Sequence, residues 1–569
     1  MPPYLILWHF EFFISNLIIA NGGCETMEGN IASKLFFEKL KDKTQMTKTM
    51  PGPNQDIVFT NRLSHTKDVI SICEQIVKVH NLENCVNNDR LLDSAFAHDV
   101  GHTPFGHAGE EQLDSLFLSK DKLHFSETYP GVFRHNINSL RVLIENQFFN
   151  NEKSEFYAVL IDSIVKHTGV FPKNYIYCVF KENNIIKLDY LFERVKFKDT
   201  IFFNKFISTI QPIACDNASA IPLAGRKETR GCKKGKLCYL RSPSFHLSSY
   251  LMYPFPLTIE GTVLYYSDEI ACICSDICDF FKILFLRKRA GENIDSLISL
   301  TRICSKLNWI ESFCEDNLIL KKINELFELV KTNVFSESIK KNIDLKISLI
   351  RDYLVNSLEI NENLLGNGPD SVIINNGCQP IFSLRKDVKF IYSSIKSTIY
   401  EDLHSFNEVE LWNNFGKECI LALVDYFKDR INIFLQCLRD VKDYLKVGSI
   451  VNSFYRMLDM TNPSKESNPS TKDALKEMQK ELSKGDFSID DFLKFSFVKN
   501  AIDRTPLLKY HDKQYVIDLV INLLKREICY FIARQTDSEI IGLVKRFGLV
   551  GIISKKVPKS IKYVKPLIE

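Results

Sequence analysis

No Cys-x-x-Cys pair occurs in the chain, although it carries 16 cysteines. Thiols scattered in this way argue for reduced cysteines in a reducing compartment over a disulfide framework. Net charge is nearly absent as well, at +3. A molecule so balanced does not bind polyanions through bulk charge, so any phosphate recognition has to be local. No Lys or Arg precedes the apolar stretch from Tyr4 to Ala20, and His9, Glu11 and Asn16 interrupt it. The stretch lacks the basic start of a signal peptide and is short for a membrane span. It reads as a disordered or packed extension, with a targeting role as the alternative and Met27 as an alternative start. Little of the sequence alternates with period two, and no internal repeat is present.

What remains is helical spacing in a chain of 569 residues, long enough for two to four lobes. A hydrophobic content of 45% with 25% charged residues is ordinary for a soluble globular protein. The expected class is all-α or mostly α. The patterns predict helices over Ser33 to Gln45, Asn61 to Val79, a segment capped by Asn88 and ending at Gly101, His107 to Leu118, Arg134 to Ile144 and Tyr157 to His167. From about Tyr175 to Pro256 the pattern breaks at prolines 212, 222, 243, 254 and 256, around the basic run Arg226 to Lys236. Helix resumes over Thr258 to Leu284 and continues to about Arg430. Thr461 to Thr471 is a linker by composition, and a last helical pair covers about Lys513 to Phe547.

The densest chemistry lies in AHDVGHTPFGHAGE (97–110), with three histidines, an aspartate and a glutamate in fourteen residues. A core segment would not carry so many ionisable groups unpaired. His98 and Asp99 are adjacent, so they reach one ion only if distant residues close its coordination sphere. His65, on the preceding long helix, and Asp268, an acid in the apolar run VLYYSDEIA (263–271), supply candidates. Two imidazoles and two carboxylates suit Mn²⁺, Mg²⁺, Fe²⁺, Co²⁺ or Zn²⁺, and leave positions for water and a phosphate oxygen. Taken singly, His65 also fits a satisfied core histidine, and Asp268 a local cap or ion pair.

The segments RLSH (62–65), HDVGHTPFGHAGE (98–110), FRHNINSLRVL (133–143) and TIEGTVLYYSDEIACICSDICD (258–279) resemble the HD-domain deoxynucleoside triphosphate triphosphohydrolases, which include the bacterial dGTPases and a mammalian dNTPase. KLKDKTQ (39–45) and ICYFIARQTDSEIIGLVKRFG (528–548) are similar to further segments of that family. The resemblance implies an HD-domain helical core with an additional helical C-terminal lobe and an irregular insertion able to hold β structure. The corresponding division is an extension over 1–27, HD-domain parts over 28–174 and 257–300, and the insertion over 175–256. A helical domain over 301–440, a linker or insertion over 441–510 and a C-terminal helical segment over 511–569 complete it.

The resemblance further implies cleavage of a dNTP, with dGTP favoured, to deoxynucleoside and inorganic triphosphate, in control of dNTP pools. His65, His98, Asp99 and Asp268 would hold the metal, with Mn or Mg favoured. His107 matches the acid–base position, near a helix start and three residues before Glu110, which can orient its ring. His102 and His135 match phosphate-contacting histidines; the alternatives are a helix C-cap and a helix-start residue. Arg62 lies one turn before His65 and matches an arginine that grips a triphosphate oxygen. Gln45 and Asp276 match groups that bind the sugar 3′-hydroxyl; Lys43, Asn136 and Arg141 are weaker candidates that read more readily as helix-surface or scaffold groups. Two departures stand out. The family's IAY is Ile270-Ala271-Cys272, so the aromatic that disfavours a 2′-hydroxyl is missing, and a later histidine is Ser275.

Two other functions remain open. One is an HD phosphohydrolase acting on NTPs or nucleoside monophosphates, kept alive by Cys272. The other is a nucleotide- or nucleic-acid-binding regulator of weak turnover, motivated by the basic run, with single-stranded nucleic acid as its candidate partner. Homo-oligomerisation, a cytoplasmic or nuclear location and no stable membrane insertion complete the expectations.

Overall fold

The computed structural model describes residues 38–45, 59–117, 133–145, 154–168, 256, 258–289, 291–292, 318–360, 381–431, 433–434, 437, 488–504 and 512–557. The N-terminal stretch, the basic run at 226–236 and the linker at 461–471 lie outside them. The described residues form a mostly α fold, as the spacing predicts, with one two-stranded sheet. None of the described helices is long and apolar enough to cross a membrane.

Six helices carry the motif residues: α1 (Arg62–Val79), α2 (Asn88–Ala97), α3 (Gly106–Phe117), α4 (His135–Glu145), α5 (Ser154–Lys166) and α6 (Ile259–Arg289). Their starts follow from capping chemistry. The Asn61 side chain accepts from the Ser64 amide at 2.9 Å, while the Asn61 amide donates to Ser64 Oγ at 3.1 Å, fixing where α1 begins. Asn87 rather than Asn88 caps α2, one residue earlier than expected, because its carboxamide accepts from the Arg90 amide at 3.1 Å. At Leu40–Asp42 a single 3₁₀ turn stands where a helix reaching Gln45 was expected. Thr44 there forms an isolated antiparallel bridge with Asn61, so the backbone is extended before Gln45.

Further along the chain lie α7 (Leu318–Thr332), α8 (Glu337–Asn356), β1 (Leu358–Ile360), β2 (Phe382–Leu384), α9 (Lys386–Ser405) and α10 (Asn407–Asp429). They are followed by α11 (Ile489–Phe492), α12 (Ser496–Arg504), α13 (Lys513–Ala533), α14 (Asp537–Arg546) and α15 (Val550–Lys556). The strands pair antiparallel with Leu358 opposite Leu384. At three residues each they are too short for a period-two signal.

Two apolar cores result. One gathers residues of α1, α2 and α6–α9, among them Val69, Leu91, Val263, Phe281, Phe327 and Ile391. The other joins α3 to α10–α15 through Phe105, Leu113, Trp412, Phe427, Ile528 and Val544. Helix α6 runs along the first core with one side bearing Asp268, Cys272 and Asp276. Polar ties pin it in place. Thr258, just before it, donates from its amide (2.8 Å) and hydroxyl (2.7 Å) to the Asp162 carboxylate on α5. Midway, Asp279 accepts from the Thr60 amide at 3.3 Å and hydroxyl at 3.2 Å, beside the start of α1.

Candidate metal centre

The loop between α2 and α3 turns within a tight space. Gly101 lies against the start of α4, where a Cβ would meet the Ser139 amide nitrogen at 2.0 Å, so no side chain fits. Ser139 locks this contact: its hydroxyl donates to the His98 carbonyl (2.7 Å) and accepts from the Gly101 amide (2.9 Å). Phe105 and Gly106 then take left-handed backbone conformations, with φ of 60° and 58°. For a phenylalanine this is a strained state that its surroundings have to impose. Asp537, at the start of α14, accepts from the Phe105 amide at 2.8 Å and from the Thr44 hydroxyl at 2.6 Å. Buried Lys43 donates to the His102 carbonyl and, at 3.1 Å, to that of Ala533. The C-terminal helices therefore hold the loop from behind, which places His107 in the first turn of α3.

The four side chains expected to hold an ion converge. His65 Nε2 lies 2.8 Å from Asp268 Oδ1 and 3.9 Å from Asp99 Oδ2, and His98 Nε2 lies 3.8 Å from Asp268 Oδ1 and 3.5 Å from Asp99 Oδ2. Ligand atoms about 2.0–2.2 Å from one ion are spaced about 3–4 Å from each other. His98 is preset for ligation. Its Nδ1 donates to the Ala95 carbonyl at 2.7 Å, which leaves the Nε2 lone pair facing the cluster. That buried nitrogen has no hydrogen-bond partner among the described residues. An orphaned nitrogen among buried carboxylates fits a divalent cation. Burial opposes the charge on Asp99, yet His98 and the Arg62 guanidinium hold its carboxyl well below the usual range. Asp268, likewise buried, is lowered by the hydrogen bond and charge of His65.

Arg62 and His65 project together from α1, and each guanidinium nitrogen makes one contact. The group donates to Asp99 Oδ2 at 2.9 Å and to the carbonyls of Gln45 and Thr44 at 2.8 and 3.4 Å. Gln45 is buried beside it. Its Nε2 points at Cys272 Sγ from 3.8 Å, and its Oε1 has no partner among the described residues. The Cys272 thiol in turn donates to Asp268 Oδ1 at 3.6 Å. Two turns further along α6, burial and then the nearby Asp279 push Asp276 up to about 8, so it carries a proton at neutral pH.

On the other side of Asp99 lies a file of imidazoles. His102 Nε2 is 3.5 Å from Asp99 Oδ1, and the His102 ring stacks on His135 with centroids 3.7 Å apart. Glu110 Oε1 takes the His135 amide (3.0 Å) and Nδ1 (3.1 Å), while its Oε2 lies 3.5 Å from His107 Nδ1. Burial opposes its ionisation, but His135 and the hydrogen bonds from His107 and His135 keep the carboxyl well below its usual range. The side chain of His107 is 44% exposed, so the file ends at solvent.

His167, the residue after α5, was not assigned to the site by sequence. Its Nε2 lies 3.3 Å from His135 Nε2 and 3.9 Å from Asp99 Oδ1. Burial lowers it to about 3, so the ring is neutral. The available signal was the pair Lys166-His167 at the end of an apolar helix, where two polar groups have no evident reason to sit. Asn136, expected as scaffold, is one: it donates to the Val165 carbonyl at 2.7 Å and so ties α4 to α5.

No protein-family model matches the chain. Among curated proteins it is similar to a deoxyguanosinetriphosphate triphosphohydrolase-like protein of Leptospira interrogans, 24% identical over 394 residues, or 69% of this chain and 74% of that protein. A protein of the same name from Wolinella succinogenes is 33% identical over 157 residues, 27% of this chain and 38% of that protein. One from Pelagibacter ubique is 31% identical over 135 residues, 23% of this chain and 32% of that protein. The resemblance read from the motifs stands: the chain is similar to curated deoxyguanosinetriphosphate triphosphohydrolase-like proteins.

Proposed function

We propose that the protein hydrolyses deoxynucleoside triphosphates, dGTP foremost, to deoxynucleoside and inorganic triphosphate, and so lowers dNTP pools. The observation that carries this is the meeting of His65, His98, Asp99 and Asp268, separated by up to 203 residues in sequence, at one point. The names of the relatives supply the substrate class.

In this reaction water adds to the α-phosphorus, the bond from that phosphorus to the 5′-oxygen breaks, and the 5′-oxygen takes up a proton. The four residues would hold a divalent ion, Mn²⁺ or Mg²⁺ by preference. When bound, such an ion polarises a phosphate oxygen and makes a bound water more acidic. His107 is the only histidine of the file that reaches solvent, which suits it to protonate the departing oxygen. Glu110 orients that ring, and it holds His135 by the same carboxylate. His102 and His135 line the approach as phosphate donors. Arg62 acts here through Asp99 and Gln45, fixing the carboxylate and the backbone beside the substrate. The unpartnered Gln45 Oε1 accepts the 3′-hydroxyl, and Asp276 shares that task as a neutral carboxyl.

A second reading rests on Cys272. Where a tyrosine would close on the sugar's 2′ side, a thiol stands 3.8 Å from Gln45 Nε2, and ribonucleotides gain room. One assay separates the two. The full-length protein, loaded with Mn²⁺ or Mg²⁺, is given each dNTP and NTP, and the products are resolved as triphosphate, pyrophosphate or phosphate. Triphosphate from dNTPs, absent in Asp99→Ala, is the expected result. Triphosphate from NTPs at equal rates would support the second reading, and no triphosphate from any nucleotide would overturn both.

A further inference from the structure

We propose that Lys396 binds the outer phosphates of a polyphosphate chain, and that Glu269 is the internal anion which those phosphates displace. The site thereby selects nucleotides that carry β- and γ-phosphates over nucleoside monophosphates. This rests on the reading above that a nucleoside triphosphate is the substrate, but not on which base or sugar it carries.

Glu269 follows Asp268 on α6 and is met by two residues of α9. Lys396 Nζ lies 2.5 Å from Glu269 Oε2. The Tyr392 hydroxyl donates to the same oxygen at 2.7 Å and to the Glu269 carbonyl at 3.2 Å. Tyr392 and Lys396 are four residues apart on α9, so they project together toward α6. Asp268, Cys272 and Asp276 follow one another at the same spacing along α6 and share one side of it. The Lys396 ammonium acts electrostatically on all three, so it faces the side that carries the ion-binding carboxylate. Burial opposes the charge on Lys396, yet the charge and hydrogen bond of Glu269 raise it above the ordinary lysine value. It is a full cation at neutral pH.

Charge gives this pair its meaning. Asp99, Asp268 and Glu110 are buried at the site, and a triphosphate brings further negative charge. A divalent ion at the α-phosphate offsets part of it, and the outer phosphates need a cation of their own. Three other basic side chains lie on the Asp99 side of the site. Arg62 stands 2.9 Å from Asp99, Lys43 donates to the His102 and Ala533 carbonyls, and Arg134 lies 3.9 Å from Glu110. Lys396 approaches from the α6 side instead. Its side chain is 34% exposed and that of Glu269 25%, so an anion can reach the pair from solvent. A partly exposed ion pair contributes little to stability, whereas ammonium hydrogen bonds to phosphate oxygens are among the strong ones. Exchange of the carboxylate for a phosphate is therefore favourable. It also frees the Tyr392 hydroxyl to donate to the same phosphate. A monophosphate held by the ion has no outer oxygen to take part in this exchange.

The test needs no turnover. Inorganic tripolyphosphate, pyrophosphate and phosphate are titrated calorimetrically into the full-length protein at a fixed excess of Mg²⁺. The wild type is expected to hold tripolyphosphate most tightly and phosphate least. Lys396→Met should weaken tripolyphosphate by about 10–100-fold, the worth of a hydrogen bond to a charged group, and leave phosphate unchanged. Lys396→Arg keeps the charge and should bind as the wild type does. Glu269→Gln breaks the same ion pair but removes the competing anion, so tripolyphosphate should bind more tightly than to the wild type. A purely structural tie cannot give opposite signs in two variants that break one contact. Weakening in both, or a wild type that prefers phosphate to tripolyphosphate, would overturn the proposal. Tripolyphosphate binding with the expected signs but no nucleotide cleaved sinks the proposed reaction and leaves this assignment standing. Cleavage of dGTP by Lys396→Met at the wild-type KM sinks the assignment alone.

Discussion

Asp99 has two faces, and they are built by different means. On the Oδ2 face, His65, His98 and Asp268 come from three helices whose relative positions are fixed by packing and by the ties of Thr258 and Asp279. On the Oδ1 face, His102, His135, Glu110 and His107 follow a loop and two helix starts, positioned by backbone hydrogen bonds and by residues near the C-terminus. The first face is buried. The second leads from a buried carboxylate to an exposed imidazole. The proposed function uses the packed face to hold an ion and the other for the passage of protons and phosphate.

The largest expected effect falls on the residue common to both. Asp99→Asn leaves Arg62 without its counter-ion and removes a proposed ligand. Breaking a buried pair of this kind destabilises the fold by about 3–5 kcal/mol, and with that ligand gone bound Mn²⁺ should be lost and triphosphate release should fall to background. His107→Gln probes the outer end of the second face. Loss of a proton donor costs about 10²–10⁴-fold in turnover, and manganese per chain should stay as in the wild type. Loss of metal in this variant would break the division of labour between the faces.

His98→Ala and His167→Asn set like against like, since both rings are held through Nδ1 by a backbone carbonyl. His98→Ala should lose turnover to background. His167→Asn should lose about 10–100-fold, as for groups that support a metal site without being its main ligand. Equal losses, measured by triphosphate release at saturating Mn²⁺, would erase the distinction between the faces.

The smallest effect concerns stability. Asp276 is raised in the folded state from its ordinary 3.8 to about 8, so between those values the folded chain holds a proton that the unfolded chain releases. Stability contributed by this site is therefore greatest at low pH and declines as pH rises from about 4 to about 8. Asp276→Asn should remove that decline and leave the protein more stable than the wild type at pH 8. Urea unfolding at pH 5 and pH 8 measures both, and a wild type equally stable at the two values would refute the assignment.

The two faces also differed in how far the sequence disclosed them. Helix periods and caps placed α1 to α6 to within a few residues, because Asn61 and Asn87 act locally and apolar spacing is a local property. The four ion-binding candidates were legible because histidine and aspartate stood out against apolar helices, and the structure brings them together. His167 was not legible: one imidazole at the end of an apolar helix has the same local pattern whether it faces a metal or a core. Arg62 was read as a group that grips a triphosphate oxygen; its contacts to Asp99 and to the Thr44 and Gln45 carbonyls were not legible, because they depend on the extended backbone at Thr44 and Gln45. The short strands β1 and β2, and the 3₁₀ turn at Leu40–Asp42, fell below the length at which a period can be recognised.

The carboxylate of Asp537 lies 432 residues beyond the Phe105 amide it binds, and it imposes a backbone angle that phenylalanine would not choose unaided. During synthesis the histidine-rich loop must therefore wait for α14 to leave the ribosome before it can settle. Until then the nascent chain can bury its apolar helices, but the contact that fixes the Phe105 backbone ahead of His107 is missing.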